Sequence, residues 1–287
     1  MKYYEVNFTL SPLNSDACDL LAALAGEAGF ETFEETEAGL TGYVQQQLFD
    51  PSQLDELLQS FPFPDVNVSY TVGEAEDRDW NEQWEQEGFD PIVVDNRLVI
   101  HDGRHLPEQL STVNYQLSIE IDARLAFGTG THETTRMVCS TLLGLPLEGR
   151  RLLDCGTGTG ILSICALKLG AAEAVGYDID EWSADNARHN AVINRVDDHF
   201  QSLLGDAAVI DTLSGTFDIV TANINRNILL TDMPRFCSKM APNALLILSG
   251  FYTSDIPLLV DKARSLGLTL VSQKEDNGWA CIVVAKG

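Results

Sequence analysis

The sequence predicts an α/β protein. Its main part is a doubly wound, mostly parallel seven-stranded sheet with a terminal antiparallel hairpin, preceded by a small α+β unit. Three observations predict this. From residue 150 onward, short apolar runs alternate with stretches of helical spacing, the pattern of repeated βα units. Near the end, LTLVSQKE and WACIVVAK flank Asp276-Asn277-Gly278, and an Asn-Gly pair between two strands is a strong hairpin signal. Before residue 76, apolar residues recur at period two, then at helical spacing, then at period two again.

The first unit follows from these periods. Tyr4, Val6, Phe8 and Leu10 share one face of a half-buried strand. Asn14-Ser15 offers a helix cap, Ala17, Leu20, Leu21, Leu24, Ala25 and Ala28 follow at helical spacing, and Gly29 stops the helix. Residues 30–48 suggest a hairpin turning near Ala38-Gly39. Asp50-Pro51 caps a second helix carrying Leu54, Leu57, Leu58 and Phe61 on one face. Val66, Val68, Tyr70 and Val72 alternate as a last strand. The order βαββαβ is that of a ferredoxin-like sandwich, and it assigns residues 1–75 to one domain. Residues 76–90 read as an acidic linker helix with Trp80 and Trp84 four apart, as anchors of a domain interface. Residues 91–287 form the second domain, entered through the strand-like runs PIVVD, RLVIH and YQLSIEI.

In that domain RRLLDC, AEAVGYD, HFQSLL, FDIVTANI and NALLILSG read as successive strands. Helices are expected over 160–169, 181–194, from the fourth strand to about Met240, and over 254–266. Five βα units and a closing hairpin describe a doubly wound sheet with one antiparallel strand at its end.

Charge narrows the partners. The 287 residues carry 18 Lys+Arg against 43 Asp+Glu, a net of −25. Residues 1–90 hold 20 of the acids and only two bases, Lys2 and Arg78. Such a surface repels phosphate backbones, disfavouring direct nucleic-acid binding, and attracts basic proteins. The same charge also serves plain solubility. No stretch approaches a membrane span, and MKYYEVNFTL lacks the apolar core of a signal peptide. None of the six cysteines forms a C-x-x-C pair, and most sit in apolar runs, as expected of buried thiols in the cytoplasm. His101 and His105 are four apart but lie in LVIHDGRHLP, which is not helical, so no metal site is expected.

The motif richest in chemistry is LLDCGTGTGIL, with Gly156, Gly158 and Gly160 between a strand and a helix. Glycines here allow a tight turn and close approach of a ligand to a helix N-terminus. A dinucleotide fingerprint needs a third glycine where Ile161 stands, which argues against a dehydrogenase. Asp178 ends the second strand, where an acid can take both hydroxyls of a ribose, while Asp180 is better placed to cap the next helix. Asp206 follows the third strand, facing an adenine amino group or serving as an ordinary loop acid. In LAFGTGTHETT, residues 125–135, Gly128 and Gly130 give a close-approach loop that is a candidate lid. Thr134 and Thr135 either bond a ligand carboxylate or begin a helix. Asn223 ends the fourth strand, at the mouth of a parallel sheet, well placed to meet a reacting group.

Together these residues resemble the ribosomal protein L11 methyltransferase family, which uses S-adenosylmethionine. The resemblance spans nearly the whole chain: the acidic front domain, the Trp-containing linker, AFGTGTHETT, DCGTGTGIL, GYDID and the Asn-Ile after the fourth strand. It implies a Rossmann-like methyltransferase domain behind a substrate-recognition domain. It also implies that Thr135, Gly156, Asp178 and Asn223 contact the cofactor, which leaves as S-adenosylhomocysteine. The implied partner is a large-subunit ribosomal protein, with lysine side chains and an N-terminal amine as acceptors. Two departures stand out. Asn225, Arg226 and Asn227 replace the Leu and small residues common after Asn-Ile, and Glu133 stands where Pro is frequent.

Transfer of a methyl to an amine requires a nitrogen lone pair. Asn223 can hold that amine through its carbonyl oxygen, with no strong side-chain base. Cofactor contacts are expected from Thr134, Thr135, Gly156, Gly158, Gly160, Asp178, Asp206 and Asn223. The rivals keep the fold and change the role: methylation of another protein or a small amine, or a non-catalytic cofactor-binding protein. A base methyltransferase is disfavoured by charge and by the missing Asn-Pro-Pro-aromatic platform at Asn223.

Overall fold

A computed structural model describes residues 3–36, 38–46, 48–59, 61–63, 66–74, 88–105, 115–123 and 128–287. The chain divides into two compact units, Met1–Trp80 and Asn81–Gly287. The linker helix expected over 76–90, with Trp80 and Trp84, lies outside the described residues up to residue 87.

The first unit contains β1 (Tyr3–Ser11), α1 (Ser15–Glu27), β2 (Phe30–Thr36), β3 (Gly39–Gln45), α2 (Pro51–Gln59) and β4 (Asn67–Glu74). Its strands are antiparallel in the order β2-β3-β1-β4. Along β1, Val6, Phe8 and Leu10 are buried, so the period-two pattern of the sequence is the core-facing side of the strand. Asn14 caps α1, its side chain accepting from the Ala17 amide at 3.0 Å. Phe8, Leu21, Phe30 and Leu54 form the centre of this core. The alternation expected to continue to Val72 leaves the core there, for Val72 is 42% exposed.

The second unit opens with a three-stranded sheet, β5 (Ile92–Val94), β6 (Leu98–His101) and β7 (Leu117–Glu120). After α3 (Glu133–Leu142) the chain builds the large sheet. Its elements are β8 (Arg151–Cys155), α4 (Ile161–Lys168), β9 (Glu173–Asp178), α5 (Glu181–Ile193), β10 (Phe200–Leu204), β11 (Phe217–Asn223), α6 (Arg226–Ser238), β12 (Met240–Tyr252), α7 (Ile256–Ser265), β13 (Leu268–Asp276) and β14 (Trp279–Lys286). The order is β10-β9-β8-β11-β12-β14-β13, parallel except at β14. Strand β8 is central, with β9 on one side and β11 on the other. Its C-terminal end is therefore a switch point, where α/β sheets open a crevice. Leu152 faces one apolar layer and Leu153 the other. Burial on both faces is why apolar residues stand at consecutive positions in these strands, as at Leu152-Leu153 and Ile219-Val220.

Two expectations need correction. Five βα units were expected, but β10 is followed by a 3-10 helix, Ala207–Thr212, rather than an α-helix. The segment 205–216 is short and bounded by Gly205 and Ser214-Gly215, which leaves no room for several turns. The antiparallel strand is also not at the sheet's edge. Asn277 and Gly278 both take positive φ, 48° and 82°, and fold β14 back between β12 and β13. Both positive values are those of the tight primed turn that Asn-Gly favours. Among the described residues no helix is long and apolar enough to cross a membrane.

Candidate active site

The site grows from β8. Asp154 is fully buried in that strand. One of its carboxylate oxygens accepts from the hydroxyls of Thr157, at 2.8 Å, and Ser163, at 2.9 Å. The other accepts from Thr221 at 2.7 Å. Burial raises its pKa, and the hydroxyl donors pull the other way. The turn after β8 is held from the other side. The amides of Gly156 and Thr157 both donate to the Tyr177 carbonyl at 2.9 Å, and Gly158 donates to the Asp178 carboxylate at 3.0 Å. The second Asp178 oxygen accepts from the Asp180 amide at 3.2 Å. Asp180 caps α5, accepting from the Ser183 amide at 2.9 Å.

A cavity of about 520 Å³ opens at this rim, in the range of small-molecule sites. Of the residues named from sequence, Thr135, Gly156, Gly158, Asp178, Asp206 and Asn223 line it. Thr134 and Gly160, also expected as cofactor contacts, stand outside this lining. Thr134 is 1% exposed and turned to His132, whose Nδ1 accepts the Thr134 amide at 3.2 Å and caps α3. Gly160 serves helix packing: a Cβ there would stand 3.1 Å from Cα and Cβ of Ala187.

Asn223 sits at the end of β11 with its Nδ2 donating to the Thr135 hydroxyl at 3.4 Å. Its Oδ1 is buried and has no hydrogen-bond partner among the described residues. A buried carbonyl oxygen gains from a donor, so this atom is an acceptor available to an N–H brought into the cavity. Thr135 lies on α3, reached through the loop whose first described residue is Gly128. That loop is tied to the glycine turn by the Thr159 hydroxyl, which donates to the Gly128 carbonyl at 2.6 Å. Residues 125–127 of the candidate lid lie outside the described residues.

Several lining residues escaped the sequence reading. Ile179 is 72% exposed and Ile228 40%, and both border the cavity. Exposed aliphatic walls of this kind suit the faces of a flat ring. Asp232 also lines it, one turn beyond Ile228 on α6. Burial raises the Asp232 carboxyl above its ordinary pKa, Arg235 opposes this, and the Asp206 charge adds to it. The only local signal for Ile179 was an apolar residue directly after the strand-ending acid. Asp232 gave none, because its position depends on α6 lying against the segment after β10. Asp206 itself caps that segment, accepting from the Ala208 amide at 2.8 Å.

The departures after Asn-Ile are satisfied locally. Asn225 caps α6 through the Ile228 amide at 3.1 Å, and Arg226 pairs with Asp255 at 2.9 Å and bonds Asn227. Glu133 receives the Asn277 side chain at 2.9 Å, tying α3 to the hairpin turn. His132, Trp279 and Tyr252 stand in a row, with ring centroids 4.7 and 4.3 Å apart, at the C-terminal end of β12. His101 and His105 have separate partners, Ser118 at 3.0 Å and Asp102 at 2.6 Å.

The family model described as Ribosomal protein L11 methyltransferase (PrmA) matches residues 23–287. A curated protein of that name from Bacteroides thetaiotaomicron is 47% identical over 282 residues, covering 98% of this chain and 99% of its own. Another of that name, from Phocaeicola vulgatus, is 44% identical over 98% of both. The crystal structure of ribosomal protein L11 methylase from Lactobacillus delbrueckii subsp. bulgaricus aligns with a TM-score of 0.62 at 25% identity, over 69% of this chain and all (100%) of that one.

Proposed function

Because the chain belongs to the ribosomal protein L11 methyltransferase family, we propose that its cavity brings S-adenosylmethionine together with an amine of the large-subunit ribosomal protein L11. The chain is a methyltransferase, and its acceptors are lysine side chains, an N-terminal amine, or both.

The residues present fit the cofactor. Asp178 is oriented by two main-chain amides and keeps lone pairs for the two ribose hydroxyls. Ile179 and Ile228 offer apolar faces for adenine, with Asp206 and Asp232 as acceptors for its amino group. The turn at Gly156 and Gly158 admits the chain that carries the sulfur. Bound there, S-adenosylmethionine supplies an electrophilic methyl on a positively charged sulfur, leaving S-adenosylhomocysteine.

The protein's own part is positioning. The Asn223 Oδ1 accepts an N–H of the amine, and its Nδ2, engaged with Thr135, fixes which end of the amide faces the cavity. A free lysine has a pKa of about 10.4 and an α-amino group about 7.7–8.0. Apolar walls and a neighbouring positive charge both lower these values, so the ammonium gives its proton to bulk water as it enters and the neutral amine is what Asn223 holds. Holding the reacting atoms at roughly 3–3.5 Å and excluding water then carries the rate.

We read the first unit as a ferredoxin-like substrate-recognition domain covering residues 1–75. Its βαββαβ order and antiparallel β2-β3-β1-β4 sheet support that reading. Its acidity suits a basic ribosomal partner met in the cytoplasm.

The observation that carries this function is the buried Asn223 Oδ1, without a partner among the described residues, in a cavity beside the glycine turn. The test is incubation with purified L11 and methyl-labelled S-adenosylmethionine. Label on L11 amines is expected. Absence of label from a folded protein that binds S-adenosylhomocysteine would overturn the choice of acceptor, and absence of binding would overturn the cofactor.

A further inference from the structure

Ile224 directly follows Asn223, and two glycines hold it. Gly250, in β12, has φ +90°, and a Cβ there would lie 2.5 Å from the Ile224 carbonyl oxygen and 2.8 Å from its carbonyl carbon and nitrogen. Gly156, in the glycine turn, has φ +75°, and a Cβ there would lie 2.4 Å from Cγ2 of Ile224. The main chain of Ile224 therefore rests on one glycine and its side chain on the other. Neither glycine can carry a side chain without moving Ile224.

This arrangement bears on Asn223 because little else fixes that residue. Its side chain makes one long hydrogen bond, to Thr135 at 3.4 Å, and its Oδ1 makes none among the described residues. Its main chain is paired on β12 with Ser249, whose hydroxyl is itself committed to the Ala280 carbonyl at 2.8 Å. The orientation of Asn223 is thus inherited from the backbone on either side of it. On one side β11 is locked in the sheet. On the other, Ile224 is held between Gly250 and Gly156.

We propose that Gly250 and Ile224 are positioning residues. Clamped between Gly156 and Gly250, Ile224 sets the acceptor-side carbonyl of Asn223 at a fixed distance from the loop that holds the methyl donor. The missing side chain of Gly156 then serves Ile224, beyond its place at the cavity wall. The inference rests on the reading of Asn223 given above. It adds that the donor loop and the acceptor residue are aligned by one intervening side chain, not by direct contact.

The test is a double-mutant cycle in the full chain, with L11 as acceptor and S-adenosylhomocysteine as the binding probe. Ile224→Ala removes the methyl that meets Gly156. Ile224 also lines the cavity, so the variant is expected to lower kcat by about 100-fold while the S-adenosylhomocysteine Kd rises by less than about tenfold, the effect of one lost apolar wall. Ile224→Val keeps that methyl and is expected to cost about threefold or less in kcat. In an Asn223→Ala background, Ile224→Ala is expected to add less than about threefold, because the residue it positions is gone. Full additivity in that background, or an effect on Kd in place of kcat, would overturn the clamp. Asn223→Ala retaining wild-type turnover would instead overturn the role of Asn223 and the clamp with it. Gly250→Ala extends the series, with its circular dichroism spectrum read beside its kcat; the Ile224 variants decide the matter if it does not fold.

Discussion

Thr221 donates its hydroxyl to Asp154 at 2.7 Å across two paired positions of β11 and β8. Thr221 is two residues before Asn223, and Asp154 two before Gly156. One buried carboxylate thus joins the strand that ends at Asn223 to the glycine turn, and both border the cavity.

Asp154→Asn is expected to destabilise the protein, most of all at low pH. Burial places the folded-state pKa of Asp154 above its unfolded value. Stability linked to this group is therefore fully present below the unfolded value and is lost as pH rises through the folded one. The variant lacks that loss, so its penalty of about 1–3 kcal/mol at pH 4 should shrink toward pH 8. Urea midpoints at the two pH values check this, and a penalty that grows with pH would contradict it.

Asn223→Ala should lower the rate of L11 methylation by about 100-fold. It should not lower the thermal midpoint of the ligand-free protein, because it removes a buried acceptor without a donor. Methyl-transfer assays and a melting curve measure both. A large drop in melting temperature would mean that Asn223 is structural.

Asp178→Ala should raise the Kd for S-adenosylhomocysteine by about 10- to 100-fold, as expected for loss of hydrogen bonds to a charged acceptor. The kcat at saturating cofactor should change little. Calorimetric titration separates the two quantities. An unchanged Kd would remove the ribose assignment.

Asp102 should stabilise the second unit at neutral pH and lose that effect in acid. Burial opposes its charge, but the His105 imidazole and the amides of His105, Arg104 and Phe89 outweigh burial and bring its pKa to about 2. The folded value is below the unfolded one, so the contribution is present above about pH 4 and is lost as pH falls through about 2. Asp102→Asn should be less stable than wild type at pH 7 and equal to it near pH 2, by denaturant titration.

Removal of residues 1–75 should spare cofactor binding and abolish L11 methylation. The cavity residues all belong to the second unit, while acceptor recognition is assigned to the first. Binding of S-adenosylhomocysteine by the truncated chain establishes that it is folded. Methylation of intact L11 by that chain would contradict the division of labour.

Most of the large sheet was legible in the sequence, because a strand buried on both faces reads as an unbroken apolar run such as ALLIL in β12 or ACIVVA in β14. Helix α4 was legible for a different reason. Ile161 to Leu167 are all buried, so periodicity is silent there, and the glycines before it mark its start. The site was legible where a residue type follows a strand end: Gly156, Asp178 and Asn223. It was not legible where tertiary packing decides. Gly160 and Thr134 have the same spacing as true lining residues, but Ala187 and His132 claim them. Asp232 reaches the cavity only because α6 leans toward the 3-10 segment. The insertion of β14 between β12 and β13 was also hidden, since an Asn-Gly turn fixes the pairing of its two strands but not which of them meets the sheet.

That insertion leaves β13 with a single strand neighbour among the described residues, so its outer hydrogen-bonding row faces outward. Open rows of this kind recruit strands from other chains and seed aggregation. Here the strand runs Gln273, Lys274, Glu275, Asp276, and Lys274 turns inward to the Ser140 hydroxyl at 2.6 Å. An incoming strand would have to strip water from a dense set of charges to pair there. The charged C-terminal half of β13 thus weighs against strand pairing at this open edge, while its N-terminal half, with Val271 58% exposed, carries no such charge.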